Sequence, residues 1–213
     1  MSTSDSSVGQ GCVGDKCRTA QTHPRRLYPA RVPDPVQTIS TARLSLVWLS
    51  PADLTGLLDG NVAGVEASIG TNLPPGWLEE FAGLVGFRSR QIEAHPEAAP
   101  WLLRLIVRQD PPAVAGLVNF HGPPDERGFA EVGYSLQPGQ RGQGLAVEAV
   151  RGLFDWAYRV HGVVRFRASI SPDNERSQNL VRKLGMTPVG SQWDDRDGLE
   201  VIWTVEGWLP GAG

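Results

Sequence analysis

Between Gly133 and Ala146 the chain reads Gly-Tyr-Ser-Leu-Gln-Pro-Gly-Gln-Arg-Gly-Gln-Gly-Leu-Ala, and no other stretch restricts the fold as strongly. It is a strand that runs into a glycine-studded turn and then into the first turn of an amphipathic helix. Pro138 has no N–H to donate, so strand pairing ends there. Gly139, Gly142 and Gly144 permit backbone conformations and close approaches that a Cβ would obstruct. The helix that follows turns unpaired N–H groups and the positive end of its dipole toward the turn. Such an end binds anionic oxygen, most often phosphate, so a phosphate-bearing ligand is expected.

The flanking sequence builds a sheet around this turn. Arg43-Leu44-Ser45-Leu46-Val47-Trp48-Leu49 alternates as a strand from the first ordered residues near Thr41. Ser50-Pro51 then opens a short helix with Leu54, Leu57 and Leu58 on its inner stripe, ending near Gly60. Leu78, Phe81, Ala82, Val85 and Phe87 give the second half of 73–97 a helical spacing, weakened by Gly83 and Gly86. Strands are expected over 102–107, 113–120 and 129–136, and the short turns at 110–112 and 122–128 make them an antiparallel meander.

From Ala146 to Gly162, Ala149, Val150, Leu153, Phe154 and Ala157 continue one apolar stripe, with Glu148, Arg151, Asp155 and Arg159 opposite. A strand follows over 163–170. Because a whole helix separates it from the strand over 129–136, those two should run parallel if they are neighbours. Ser171-Pro172-Asp173-Asn174 caps a further helix with Leu180, Val181 and Leu184 inside and Gly185 as its stop. Strands over 186–190 and 199–205 close the chain around the turn 194–198. The fold class is therefore α/β (α+β), with a mostly antiparallel mixed sheet and one parallel βαβ crossover.

At 213 residues the chain is the size of one domain, expected over 38–210, behind a lead at 1–37 too poor in apolar residues to order itself. A net charge of −3 gives no electrostatic footprint for nucleic acid. No apolar run approaches the roughly 18–20 residues of a membrane span, and no signal-like segment opens the chain, so the expected location is cytoplasmic. Cys12 and Cys17 lie in the polar lead with His23 as the sole nearby further ligand; an unstructured tail is preferred to a metal site, and no metal is expected.

Three kinds of phosphate loop fit a strand–glycine–helix unit. A nucleotide-triphosphate loop needs Gly-Lys-Ser/Thr, and this turn has neither the lysine nor the hydroxyl. A dinucleotide fingerprint needs a third glycine after Gly142 and Gly144. The pattern that remains is Arg-x-x-Gly-x-Ala, Arg141 through Gly144 to Ala146, which resembles the acyl-CoA pyrophosphate loop of the GNAT N-acetyltransferase family. Ala130-Glu131-Val132-Gly133-Tyr134-Ser135-Leu136 resembles that family's fourth strand. Asn174-x-x-Ser177-x-x-Leu180-x-x-Lys183-Leu184-Gly185-Met186 is similar to its late helix and following strand. Thr41-Ala42-Arg43-Leu44 and Glu148-Ala149 match its opening strand and helix start. The order and spacing hold from about Thr41 to Trp208, and the closest likeness is to the RimJ/RimL-type branch, whose namesakes acetylate N-terminal amines of ribosomal proteins.

The resemblance implies a sheet with helices on both faces and a splayed parallel pair at its fourth and fifth strands. It implies acetyl-CoA as the donor, its pyrophosphate held by Arg141, Gly142, Gln143, Gly144, Leu145 and Ala146. Ser135 and Leu136 would offer backbone groups to the pantetheine arm, Asn174 would hydrogen-bond it, and Ser177 would protonate the departing thiolate. Many relatives use a tyrosine four residues after that serine; here the position is Val181, so a tyrosine acid there is excluded.

The nucleophile in such a reaction is an amine that must shed a proton. Glu131 is the first choice of base, since Phe129-Ala130-Glu131 resembles the catalytic strand of the histone-acetyltransferase branch. Glu200, Asp197 and a water relay stand behind it. His121 and His161, at a strand end and a helix end, are read as structural, the run 194–197 as a solvated turn, and Trp77, Trp101, Trp193, Trp203 and Trp208 as core. The expected partners are a small-molecule amine or a protein N-terminus as acceptor, with no nucleic acid and no membrane, and a homodimer is left open. A catalytically silent acyl-CoA-binding regulator and a longer-chain acyltransferase are the alternative readings.

Overall fold

The computed structural model describes residues 36–211; the lead expected over 1–37, with Cys12, Cys17 and His23, falls outside them apart from its last two positions. Among the described residues one sheet contains β1 (Ile39–Ser40), β2 (Leu44–Trp48), β3 (Arg104–Gln109), β4 (Pro112–Phe120), β5 (Phe129–Leu136), β6 (Arg165–Ile170), β7 (Thr187–Asp194) and β8 (Gly198–Glu206). Its order is β1-β2-β3-β4-β5-β6-β8-β7. The helices are α1 (Pro51–Leu58), α2 (Val62–Ile69), α3 (Trp77–Ala94), α4 (Leu145–His161) and α5 (Glu175–Lys183).

Strand alternation sends apolar side chains to both faces, and each face has its own core. On one, Leu54, Leu57, Val65, Trp77, Phe81 and Val85 from α1–α3 pack on Leu105, Val107 and Leu117. On the other, Ala149, Leu153, Phe154 and Ala157 of α4 pack on Ile106, Val118, Phe120 and Phe166. Phe154 and Phe166 stack with centroids 3.8 Å apart, and Trp208 stands edge-on to Phe154 at 5.1 Å. Each such large apolar side chain, fully buried, contributes roughly 1.5–3 kcal/mol. The Ser50 start of α1 is a full capping box: Ser50 Oγ accepts from the Asp53 N–H at 3.1 Å, and Asp53 Oδ2 accepts from the Ser50 N–H at 2.8 Å.

The departures from the expected elements have local causes. The two-residue β1 and the helix α2 were not anticipated. Val65 is the one fully buried residue of α2, so there was no apolar stripe to read; its ends are set by Asn61, whose Oδ1 accepts from the Gly64 N–H at 3.1 Å, and by Gly70 in the left-handed region. Helix α3 starts at Trp77 rather than midway through 73–97, because Trp77 and Phe81 are both core residues. Strand β7 extends to Asp194, held by antiparallel pairing with β8 that sequence alternation alone does not report.

The parallel pair is the feature that positions the site. Strands β5 and β6 pair at three positions, Phe129 with Arg165, Ala130 with Phe166 and Glu131 with Arg167. Beyond Glu131, β5 continues to Leu136 against β4, while β6 continues to Ile170 against β8. The ladder between them ends, and a V opens whose vertex is the Glu131–Arg167 pair.

Candidate active site

Helix α4 starts at the open end of the V. After Pro138 the chain makes a short 3-10 turn over Pro138–Gln140, extends at Arg141, and passes through left-handed conformations at Gly142 (φ 77°) and Gly144 (φ 75°). Gly139, expected to need the same freedom, lies within the 3-10 turn instead. Gly144 is the N-cap of α4, and no side chain caps the helix there. The first-turn amides therefore remain available to an anion, with the dipole behind them. Arg141 folds back, its Nε donating to the Leu136 carbonyl at 3.0 Å, and Gln143 Nε2 donates to the Gly139 carbonyl at 3.2 Å.

The turn is braced from the far end of the chain. Glu148, one turn into α4, accepts from Thr41 Oγ1 at 2.6 Å, the Arg43 N–H at 2.7 Å and Arg43 Nε at 2.6 Å. Arg43 Nη1 donates to the Gln143 carbonyl at 3.1 Å, inside the turn. Burial by itself would raise the Glu148 pKa; the hydrogen bonds from Thr41 and Arg43 and the guanidinium charge outweigh it and hold the carboxyl below its ordinary value.

Ser135 and Leu136 lie on the part of β5 past the vertex, bonded through β4 alone. Across the V stands the N-terminus of α5, where Asn174 Oδ1 accepts from the Ser177 N–H at 3.1 Å and so caps the helix. Tyr134 Oη donates to the Ser177 carbonyl at 3.3 Å, linking β5 to α5. Burial raises the Tyr134 pKa, against the opposing effect of that contact with Ser177, and the phenol stays protonated. Val181 is fully buried one turn later. The sequence-assigned Ser135, Leu136, Asn174 and Ser177 thus line the two arms of the V, with the turn 141–146 at its mouth.

Glu131 marks the vertex on the opposite face from α4, since its neighbours Ala130 and Val132 point into the α4 core. Its Oε1 accepts from Ser169 Oγ at 2.6 Å, and Arg167 Nε is 3.5 Å from its Oε2. Gln192 Nε2 donates to Ser169 Oγ at 3.2 Å and to Glu200 Oε2 at 2.9 Å, while Arg167 Nη2 bonds Gln192 Oε1. Glu131 and Glu200, separate candidates by sequence, are therefore joined by one chain of hydrogen bonds. Asp197 is not part of it: its N–H donates to Asp194 Oδ1 at 2.9 Å in the hairpin tip.

His121 also belongs to this cluster, although its position at a strand end led to a structural reading. Its Nδ1 is 3.9 Å from Glu131 Oε1, and its N–H donates to the Glu131 carbonyl at 2.8 Å. The face of the ring that packs on β5 loses solvent although the side chain is about half exposed; that partial desolvation, with Arg88 and Arg167, lowers the imidazole pKa below its ordinary value, while Glu131 works in the other direction. The signal was available in the hairpin: antiparallel pairing across 122–128 puts His121 opposite Glu131. Arg167, Ser169 and Gln192 carried no such signal, because the β6–β8–β7 register depends on the assembled sheet. His161 is structural as expected, its ring 4.4 Å from Trp101 and 5.1 Å from Trp156. Trp77, Trp101, Trp203 and Trp208 are core residues, but Trp193 is 74% exposed on β7.

A mostly antiparallel sheet that forks at one parallel pair, with an uncapped glycine N-terminus over the fork, defines an α/β protein whose α4 terminus is open to an anion. Residues 43–187 match the acetyltransferase (GNAT) domain, and the chain belongs to that family. It is 37% identical over 81 residues to an uncharacterized N-acetyltransferase, YjdG, of Bacillus subtilis, covering 38% of this chain and 48% of that protein. It is 30% identical over 89 residues to the [ribosomal protein uS5]-alanine N-acetyltransferase of Escherichia coli, covering 38% and 45%. The chain thus spans about half the length of the curated relatives it matches.

Among solved structures, one described as a ribosomal-protein-serine acetyltransferase of Vibrio cholerae superposes with a TM-score of 0.57 at 15% identity, over 82% of this chain and 99% of that one. RimL, a ribosomal L7/L12 alpha-N-protein acetyltransferase solved with coenzyme A, gives 0.56 at 18% identity, over 80% and 98%. At these identities the structures share the fold.

Proposed function

We propose that residues 38–210 act as a single N-acetyltransferase domain that moves an acetyl group directly from acetyl-CoA to a primary amine. The observation that carries this reading is the fork of β5 and β6 beneath the uncapped Gly144 end of α4, with a carboxylate at its vertex. The residues fit the donor: a Cβ at Gly142 would meet nothing within 4 Å, so the mouth of the V is open for a bulky phosphate group. Amides from Arg141 to Ala146 hold the pyrophosphate, the Ser135–Leu136 backbone bonds the pantetheine arm as a neighbouring strand would, and Asn174 adds a side-chain contact.

The acceptor enters from the Glu131 face. Its nitrogen lone pair attacks the thioester carbonyl, the C–N bond forms, and the C–S bond breaks as the tetrahedral carbon collapses. The proton the nitrogen loses passes to the polar cluster centred on Glu131, and Ser177 gives one to the thiolate. The uS5-alanine relative and the RimL likeness favour a protein N-terminus as acceptor, although the Glu131 face also admits smaller amines. No helix among the described residues is long and apolar enough to cross a membrane, and the cytoplasm is the compartment this reading assigns.

The test combines acetyl-CoA calorimetry with thiol release over a panel of amines that includes peptides starting with alanine and serine. Binding and turnover are expected for the parent chain. Binding without thiol release for any amine would make it a silent module. Gly144→Asp sets a carboxylate against the pyrophosphate and strains a left-handed position, and should weaken binding ~10-fold or more, equivalent to ~1.4 kcal/mol. Unchanged affinity in that variant would remove the turn from the donor site.

A further inference from the structure

Glu131 is a crowded carboxylate. Its Oε1 is taken up by the Ser169 hydroxyl at 2.6 Å, and its Oε2 faces Arg167 Nε at 3.5 Å. A carboxylate so engaged is a good fixed charge but a poor first contact for an incoming proton. The neighbouring imidazole has the opposite character. The His121 side chain is 49% exposed, and its ring rests against Gly133: a Cβ there would come within 2.9 Å of Nε2. Gly133 is the next residue on this face of β5 after Glu131, and Ser135 the one after that. Along the V, His121 Nε2 therefore lies a step nearer the mouth than the Glu131 carboxylate does, beside the stretch of β5 that the arm would follow.

The backbone that carries the ring is held from behind. The His121 carbonyl accepts from Gln91 Nε2 at 2.7 Å and Arg88 Nη1 at 3.2 Å, both on α3, and its N–H is bonded to β5. The charged groups acting on it are Glu131 from β5, Arg88 from α3 and Arg167 from β6. In the tautomer that carries its proton on Nδ1, the nitrogen 3.9 Å from Glu131, Nε2 keeps its lone pair for the groove.

We propose that His121 Nε2 is the group that takes the proton from the acceptor amine, and that Glu131, behind Nδ1, stabilises the imidazolium so formed. This rests on the acetyl-transfer reading and names its base. The balance is simple: nitrogen loses H⁺ to Nε2 as the C–N bond forms, the thiolate is protonated from Ser177, and both side chains re-equilibrate with water after the products leave. Because burial and the two arginines keep the imidazole neutral near pH 7, it needs no prior deprotonation.

The test is the pH profile of kcat/KM for thiol release with the best amine of the panel, in the parent and three variants, alongside acetyl-CoA affinity. For the parent, the rate should fall as pH drops through an apparent pKa below the usual histidine value of about 6.5. His121→Gln should bind acetyl-CoA as the parent does, lose ~10²-fold or more in kcat/KM, and lose this acid limb. Glu131→Gln should keep the limb but move it to lower pH, since removing the carboxylate withdraws the one charge that favours the imidazolium. Gly133→Ala, which leaves His121 in place but displaces its ring, should also slow turnover. A His121→Gln enzyme with the parent's rate, or a slower one with the same acid limb, overturns the proposal. Should His121→Gln not fold, an unchanged Gly133→Ala rate and an unmoved limb in Glu131→Gln do so. If the parent releases no thiol with any amine, the acetyl-transfer reading fails first and this proposal falls with it.

Discussion

Glu148 carries a titratable share of the fold. Its pKa is held below the ordinary value because Thr41 and Arg43 bond the ionised form strongly enough to outweigh burial. A carboxylate depressed in this way stabilises the native state above its unfolded pKa, and that stability is lost as pH falls through the native one. Glu148→Gln should therefore melt below the parent at pH 6, by a difference of roughly 1–3 kcal/mol for a partly buried charged hydrogen-bond set, and the gap should shrink toward pH 3. Thermal denaturation across that range measures it; a gap that stays constant would mean that Glu148 acts through packing and not charge. Sequence placed Thr41 and Arg43 in one matching block and Glu148 in another, and gave no sign that the two blocks touch. A contact spanning more than a hundred residues becomes visible once the sheet brings its ends together.

Legibility varies among the elements with the strength of their periodic burial. Helix α4 was readable nearly to the residue, because Ala149, Val150, Leu153, Phe154 and Ala157 are all fully buried on one stripe and Gly162 ends it in the left-handed region. Helix α2, with Val65 alone deeply buried, left no pattern to find. The same inequality predicts where damage concentrates. Phe154 is fully buried between Phe166 and Trp208, so Phe154→Ala should cost ~3–5 kcal/mol. Val65→Ala, at the thinner core beneath α2, should cost less. Urea unfolding of both variants compares them, and an equal loss would mean that the α2 layer is packed as tightly as the α4 layer.

For the molecule as a whole, the turn and both arms of the V could be anticipated, since each carries its own short motif. The vertex network was legible only through its two carboxylates, Glu131 and Glu200. Arg167, Ser169 and Gln192 reach it from β6 and β7, and their registers are set by pairing with β8 late in the chain. A ligand that spans the V should stabilise the folded state by mass action, ~2.7 kcal/mol at a hundredfold excess over Kd. For a chain of this size that raises the melting temperature by roughly 2–4 °C per kcal/mol. Acetyl-CoA should produce the shift in the parent and a much smaller one in Gly144→Asp. Equal shifts would place the ligand away from the α4 terminus.

The brace on that terminus also has a bearing on biosynthesis. Arg43 and Glu148 are 105 residues apart, yet the bonds between them hold the glycine turn in shape. Closing so large a loop is slow compared with forming helix α4, which needs only local contacts. During synthesis, therefore, the strand that carries Arg43 emerges long before the turn it will clamp. On the proposed reading, the donor pocket becomes competent only after Glu148 has been made and docked. A chain cut short before α4, or started after β2, would lack a working phosphate site even if the remaining elements formed.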